Sequence, residues 1–153
     1  MTRVLLTGMS GTGKSSIIAE LRRLGYRAVD MDESGWSAYD TDGHQLWCEE
    51  PLAKLLATDR SEHLFVSGCA ENQGKFYPQF DHIVLLSAPA DVIRRRLDAR
   101  TNNTYGKRPE ELAEVLHNLE TIEPLIRRGA THEIVTTMPL DSVVDTILII
   151  AQV

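Results

Sequence analysis

Gly8-Met9-Ser10-Gly11-Thr12-Gly13-Lys14-Ser15 is the stretch that decides the fold. It fits the pattern G-x-x-x-x-G-K-[ST], and its flanks are the ones that pattern needs. Arg3-Val4-Leu5-Leu6-Thr7 before it reads as a buried strand, and Lys14 to Leu24 after it reads as a helix. A glycine-rich bend between a strand and a helix turns several backbone N–H groups toward one point at a helix N-terminus, which makes an anion cradle. The candidate phosphate-binding residues are therefore Gly8, Ser10, Gly11, Thr12, Gly13, Lys14, Ser15 and Ser16. The Lys14 ammonium would reach the β- and γ-phosphates, and the Ser15 hydroxyl would hold Mg²⁺.

The rest of the composition narrows the classes. At 153 residues, with 42% hydrophobic and 25% charged residues, one soluble domain with one core is expected. The formal net charge of −6 and the lack of a basic stripe argue against nucleic acid as a partner. No apolar run approaches the roughly 18 residues that span a bilayer, so no membrane partner is expected. A strand from residue 3 leaves no stretch for a signal peptide, and Cys48 and Cys69 show no metal spacing. A cytoplasmic chain with free thiols is the expectation. The five histidines are scattered without a ligand pair.

Apolar runs alternate with helical patterns, which predicts βαβ units around a parallel sheet. Strands are expected at 3–7, 26–31, 63–67, 82–87 and 132–136. The first helix should carry Ile17, Ile18, Leu21 and Leu24 on one stripe. Residues 34–43 read as loop, and 46–56 read as helix, with Pro51 starting, kinking or interrupting it. Helices follow from Pro89 to about Arg100 and from Pro109 until Pro124 ends or kinks the run. A closing helix spans 141–151 with Val143, Val144, Ile147, Leu148 and Ile150 largely buried.

Asp30 and Asp32 lie two apart at the end of the second strand and so share a face. The carboxyl end of that strand opens on the side of the phosphate loop. One carboxylate near Mg²⁺ and one near an acceptor hydroxyl is what phosphoryl transfer needs. Arg96 and Arg100, spaced i, i+4, lead into the polar loop 101–107, which ends in Lys107. Two guanidiniums and a lid carrying an ammonium can neutralise a moving phosphoryl group and exclude water. Gly68, Asn72 and Gln73 follow the third strand and face the same crevice, where they would contact an acceptor; Asn72 and Gln73 would equally cap the next helix. Cys69 has no base partner and is not read as a nucleophile.

With these residues in order, the chain resembles the small P-loop kinases of the nucleoside monophosphate kinase-like group, which includes adenylate, shikimate and gluconate kinases. The resemblance covers nearly the whole length. It rests on the Gly8–Ser15 loop, the Asp30-x-Asp32 pair, Gly68 and the Arg96-x-x-x-Arg100 helix. It implies a three-layer α/β fold: a five-stranded parallel sheet in order 2-3-1-4-5 with helices on both faces. It also implies an acceptor-binding segment at about 33–60, a short lid at about 101–108, and ATP with Mg²⁺ as cofactors. By the same resemblance Asp30 lies on the Mg²⁺ side with Ser15, Asp32 contacts the acceptor, and Arg96 and Arg100 contact adenine or phosphates. The chain departs from its relatives after the third strand. Gly68-Cys69-Ala70-Glu71 stands where adenylate kinases carry Gly-Phe-Pro-Arg and shikimate kinases a glycine triplet, and the Arg-x-Asp-Asp lid signature is missing.

The expected activity is thus ATP- and Mg²⁺-dependent transfer to a small-molecule acceptor. That acceptor is an uncharged or weakly polar hydroxyl compound rather than a monophosphate. Lys14, Asp32 and Arg100 are the catalytic candidates, in a monomer or weak homodimer. The alternative is a nucleotide-binding regulatory module, or an NTPase without small-molecule transfer.

Overall fold

The structure, a computed structural model, describes residues 1–58, 61–101 and 103–153. Residues 59 and 60, at the end of the expected acceptor segment, and residue 102 of the expected lid lie outside the described residues.

Five parallel strands form the central sheet: β1 (Arg3–Thr7), β2 (Arg27–Asp30), β5 (Leu64–Ser67), β6 (His82–Ser87) and β7 (His132–Val135). Their order across the sheet is β2-β5-β1-β6-β7. Numbered by turn among the parallel strands, this is the expected 2-3-1-4-5. All five residues of β1 are buried, because the strand sits at the centre with β5 and β6 on either side. Its side chains alternate between two cores. Val4 and Leu6 pack with Ile17, Ile18 and Leu21 of α1 (Lys14–Arg23) and Val143, Val144 and Ile147 of α6 (Leu140–Ile150). Leu5 packs on the other face with Leu52, Leu55 and Leu56 of α2 (Glu49–Leu56) and with Phe76 of a 3₁₀ helix, Gln73–Gln79. Helices thus cover both faces, as a parallel sheet requires.

Beside the sheet, α3 (Ala90–Ala99) packs Ile93 and Leu97 against Val115 of α4 (Pro109–Thr121). Pro124 does not end the helical run but divides it: α4 stops at Thr121, Ile122 joins the two in right-handed helical backbone at φ −99° and ψ −44°, and α5 (Glu123–Gly129) begins with Pro124 in its first turn.

Residues 34–56 differ from expectation. Part of the expected loop is β3 (Ser37–Tyr39), and Leu46 belongs to β4 (Gln45–Trp47), which pairs antiparallel with it. The turn between them is held by Asp40, whose Oδ1 accepts from the amides of Asp42 and His44, both at 2.9 Å. Only then does α2 begin, with Pro51 in its first turn, where a missing N–H costs nothing. Leu24 is 44% exposed rather than part of the α1 stripe, because it follows the last helical turn. In α6, Leu148 and Ile150 are only partly buried at the margin of the core.

Candidate active site

The connections at the carboxyl ends of the strands diverge on either side of β1, which is where ligands seat in open parallel sheets. A cleft of about 960 Å³ opens there. Its lining includes Ser10 through Ile17, Asp32, Arg96, Arg100 and Asn103, together with Thr136, Met138 and Leu140. The phosphate-loop candidates from Ser10 to Ser16 therefore share one surface with Asp32, Arg96 and Arg100.

The loop needs its glycines for reasons of space. A Cβ on Gly8, at φ +157°, would collide with the carbonyl oxygen of Leu86 on β6. Gly13, at φ +101°, turns the chain into α1 through left-handed backbone. The Thr12 hydroxyl, fully buried, donates to Met9 O at 2.8 Å and pins the bend.

The Lys14 ammonium donates to Gly8 O at 2.6 Å and Met9 O at 2.9 Å, so it leans back over the loop it follows. Burial pulls its pKa below the ordinary lysine range. The nearby Cys69, Asp32 and Asp30 act in the opposite sense, and Arg100 adds to the lowering. Burial likewise pushes the Cys69 thiol up, against the pull of Lys14.

Asp30 closes β2, and its Oδ1 accepts from the Asp32 amide at 2.9 Å. Burial, then the charges of Asp32 and Glu33, raise the Asp30 pKa; the Asp32 amide and Lys14 oppose the rise. Asp32 Oδ1 accepts from Gln45 Nε2 of the hairpin at 2.8 Å, which ties the carboxylate to the segment behind it. Besides the Cys69 thiol, the groups near Lys14 include the oxygens of the Ser15 hydroxyl and of the Asp30 and Asp32 carboxylates. These hard oxygen ligands fit Mg²⁺ and not a softer transition metal.

The remaining candidates hold other positions. Arg100 lines the cleft, and its Nε and Nη2 donate to the carbonyls of Asn103 and Tyr105 at 3.1 and 2.6 Å, which pins the loop after α3. Arg96 lines the cleft too, but Nη1 and Nη2 donate to protein oxygens of Gly11 and Thr136. Lys107 faces a separate shallow groove with Arg94, Arg95 and Asp98, and its ammonium donates to Asp98 O at 2.9 Å. Gly68 backs onto the Trp47 indole, which a Cβ would approach to 3.2 Å.

Asn72 and Gln73 make no side-chain cap to the 3₁₀ helix. Asn72 binds both the amide and the carbonyl of Trp47, each at 2.9 Å. Gln73, 5% exposed, donates to Thr7 Oγ1 and Tyr77 Oη and accepts from Ala70 N. Both fix the wall of the crevice through protein contacts. Thr136, Met138, Leu140 and Gln45 were not singled out by motif. Only the position of Thr136–Leu140 after a strand end could have pointed to the first three.

Comparison with known proteins agrees with this fold. The family described as AAA domain matches residues 4–117. Shikimate kinase 2 of Yersinia enterocolitica is 29% identical over 170 residues, covering 95% of this chain and 92% of its own. The crystal structure of shikimate kinase from Bacteroides thetaiotaomicron aligns with a TM-score of 0.70 at 20% identity, over 99% of each chain. A gluconokinase from Sinorhizobium meliloti aligns with a TM-score of 0.56 at 20% identity, over 94% of this chain and 87% of its own. At these identities the two structures speak for the fold. Among the described residues no helix is long and apolar enough to cross a membrane. The chain belongs to the AAA domain family, and its fold is similar to that of small P-loop kinases.

Proposed function

We propose that this chain transfers a phosphoryl group from ATP, with Mg²⁺, to a hydroxyl group of a small molecule. The observation that carries the proposal is one cleft lined by the phosphate loop, Lys14, Arg100 and Asp32 at the carboxyl ends of the strands. In this reading the amides from Gly8 to Ser16 cradle the triphosphate. The Lys14 ammonium and the Arg100 guanidinium offset charge as the phosphoryl group moves. Ser15 and Asp30 would hold Mg²⁺, which when bound neutralises phosphate charge. Asp32, outside the phosphate loop and tied to the hairpin, orients the acceptor hydroxyl and takes its proton. The segment 33–60 with Gly68 forms the acceptor side, Asn72 and Gln73 shape it, and residues 101–108 act as the lid.

The charge of the acceptor side supports a hydroxyl compound without an anionic group. Among the described residues from 31 to 93 there is no arginine. The two lysines there are engaged, Lys54 with Glu50 at 3.3 Å and Lys75 with Glu49 at 3.1 Å. Among the described residues of that wall, a phosphate or carboxylate on the acceptor would meet Asp32 without an unengaged cation to receive it.

A coupled assay of ADP release across nucleosides, nucleotides, sugars, sugar acids and aminoglycoside-type alcohols tests the proposal. Turnover that depends on a neutral hydroxyl compound is the expected result. ADP released at the same rate without any acceptor, or ATP bound and never consumed, would replace it with an NTPase or a regulatory module.

A further inference from the structure

Arg96 ends in a junction of four elements. Its Nη1 donates to Thr136 Oγ1 at 2.9 Å and to Gly11 O at 3.3 Å, and its Nη2 donates to Thr136 O at 2.5 Å. Thr136, 5% exposed, lies just past β7, and its amide donates to Ser87 O at the end of β6, at 2.8 Å. Its hydroxyl donates to Thr12 O at 2.8 Å and lies 3.2 Å from Ser87 O. From the side of α3, Ile93 and Leu97 pack against Gly11. The carbonyls of two consecutive loop residues, Gly11 and Thr12, are therefore held from one direction by two side chains far away in sequence.

A trans peptide unit is planar, and its N–H points opposite to its C=O. All peptide bonds of the described residues are trans. Holding the Gly11 and Thr12 carbonyls toward the junction aims the N–H groups of Thr12 and Gly13 away from it. We infer that Arg96 and Thr136 are positioning residues that set the phosphate cradle by anchoring its outward carbonyls, and that Arg96 does not itself act as a phosphate ligand. The inference rests on the reading above that this loop binds the nucleotide phosphates. It accounts for a cleft-lining arginine whose two terminal nitrogens face backbone and hydroxyl oxygens. It also ties the phosphate loop to the segment after β7, where Thr136 precedes the cleft-lining Met138 and Leu140.

Titration calorimetry of the intact protein with ATP–Mg²⁺ and with tripolyphosphate tests this, alongside amide resonances of Thr12 and Gly13. Thr136→Val keeps the shape and removes the hydroxyl; Thr136→Ser keeps the hydroxyl. Thr136→Val and Arg96→Met should each weaken tripolyphosphate by roughly tenfold, the size of one lost anchoring bond. Thr136→Ser should bind as the unaltered protein does. The double variant should lose less than the product of the two single losses, since both act through one junction. In the free Thr136→Val protein the Thr12 and Gly13 amide resonances should move, while the melting temperature stays above that of the assay. Loss in Arg96→Met with none in Thr136→Val would make Arg96 a ligand and overturn the inference, as would amide resonances that do not shift. An unaltered protein that binds neither tripolyphosphate nor ATP–Mg²⁺ would remove the kinase reading as well.

Discussion

Lys14 lays its ammonium against the carbonyls of Gly8 and Met9, so its hydrogen bonds serve the phosphate loop. Lys14→Ala should lower phosphoryl transfer by roughly a hundredfold or more, as expected for an electrostatic group at the reacting centre. The melting temperature should move little; steady-state kinetics and a thermal melt check both. Asp32 has a different part. Asp32→Asn keeps an oxygen for Gln45 Nε2, so the hairpin stays tied. Turnover should fall by roughly a hundredfold or more while ATP affinity holds, since in the proposed reaction this residue takes the acceptor proton. Retained turnover would move that role to Asp30 or to water. Asp30 itself carries a cost. Its raised pKa means the folded chain holds that proton more tightly than the unfolded chain does. The stability this contributes is present below the ordinary aspartate pKa and lost as pH rises through the raised value. Asp30→Asn keeps an acceptor for the Asp32 amide and should raise the thermal midpoint at about pH 7, with the gain gone near about pH 3. The same variant should lower Mg²⁺-supported turnover, a trade of function for stability.

Among the elements, the β3–β4 hairpin is the one that composition hid. Its strands are three residues each, half exposed, and flanked by Ser, Asp and Gly, so neither period nor propensity marks them. What fixes them is distant in sequence. Asn72, 25 positions away, binds both main-chain groups of Trp47, much as a neighbouring strand would. The Cys48 amide meanwhile bonds Trp36 O at 2.8 Å across the hairpin base. Asn72→Ala should therefore loosen the acceptor side and leave the phosphate loop alone. The expected result is a several-fold rise in acceptor KM with ATP KM unchanged, and a stability loss of about 1–3 kcal/mol for main-chain groups left without partners. Equal rises in both KM values would show that the hairpin also supports the nucleotide. The three inner strands β1, β5 and β6 were legible because each is a run of mostly apolar residues buried on both faces, whereas the edge strands β2 and β7 are short and partly exposed and stood out only by alternating with helical patterns. The Gly8–Ser15 loop was legible because its chemistry is local. Thr136 was not, since its bond to Thr12 spans 124 residues and no motif marks either end.

On the scale of the whole molecule, the sheet divides the work between its two sides. The phosphate loop, the start of α1, α3 and the segment after β7 line most of the cleft, joined by Asp32 after β2, while α2, the hairpin and the 3₁₀ helix pack together on the opposite face of the sheet from α1 and α6. The two tryptophans of the chain, Trp36 and Trp47, both belong to that second group, Trp47 at 2% exposure and Trp36 packed against its cluster. If the proposed acceptor side is right, indole emission from this protein is a built-in, label-free gauge of the acceptor. A titration with the phosphate acceptor should shift or quench the fluorescence, whereas ATP–Mg²⁺ alone should leave the spectrum nearly as it was.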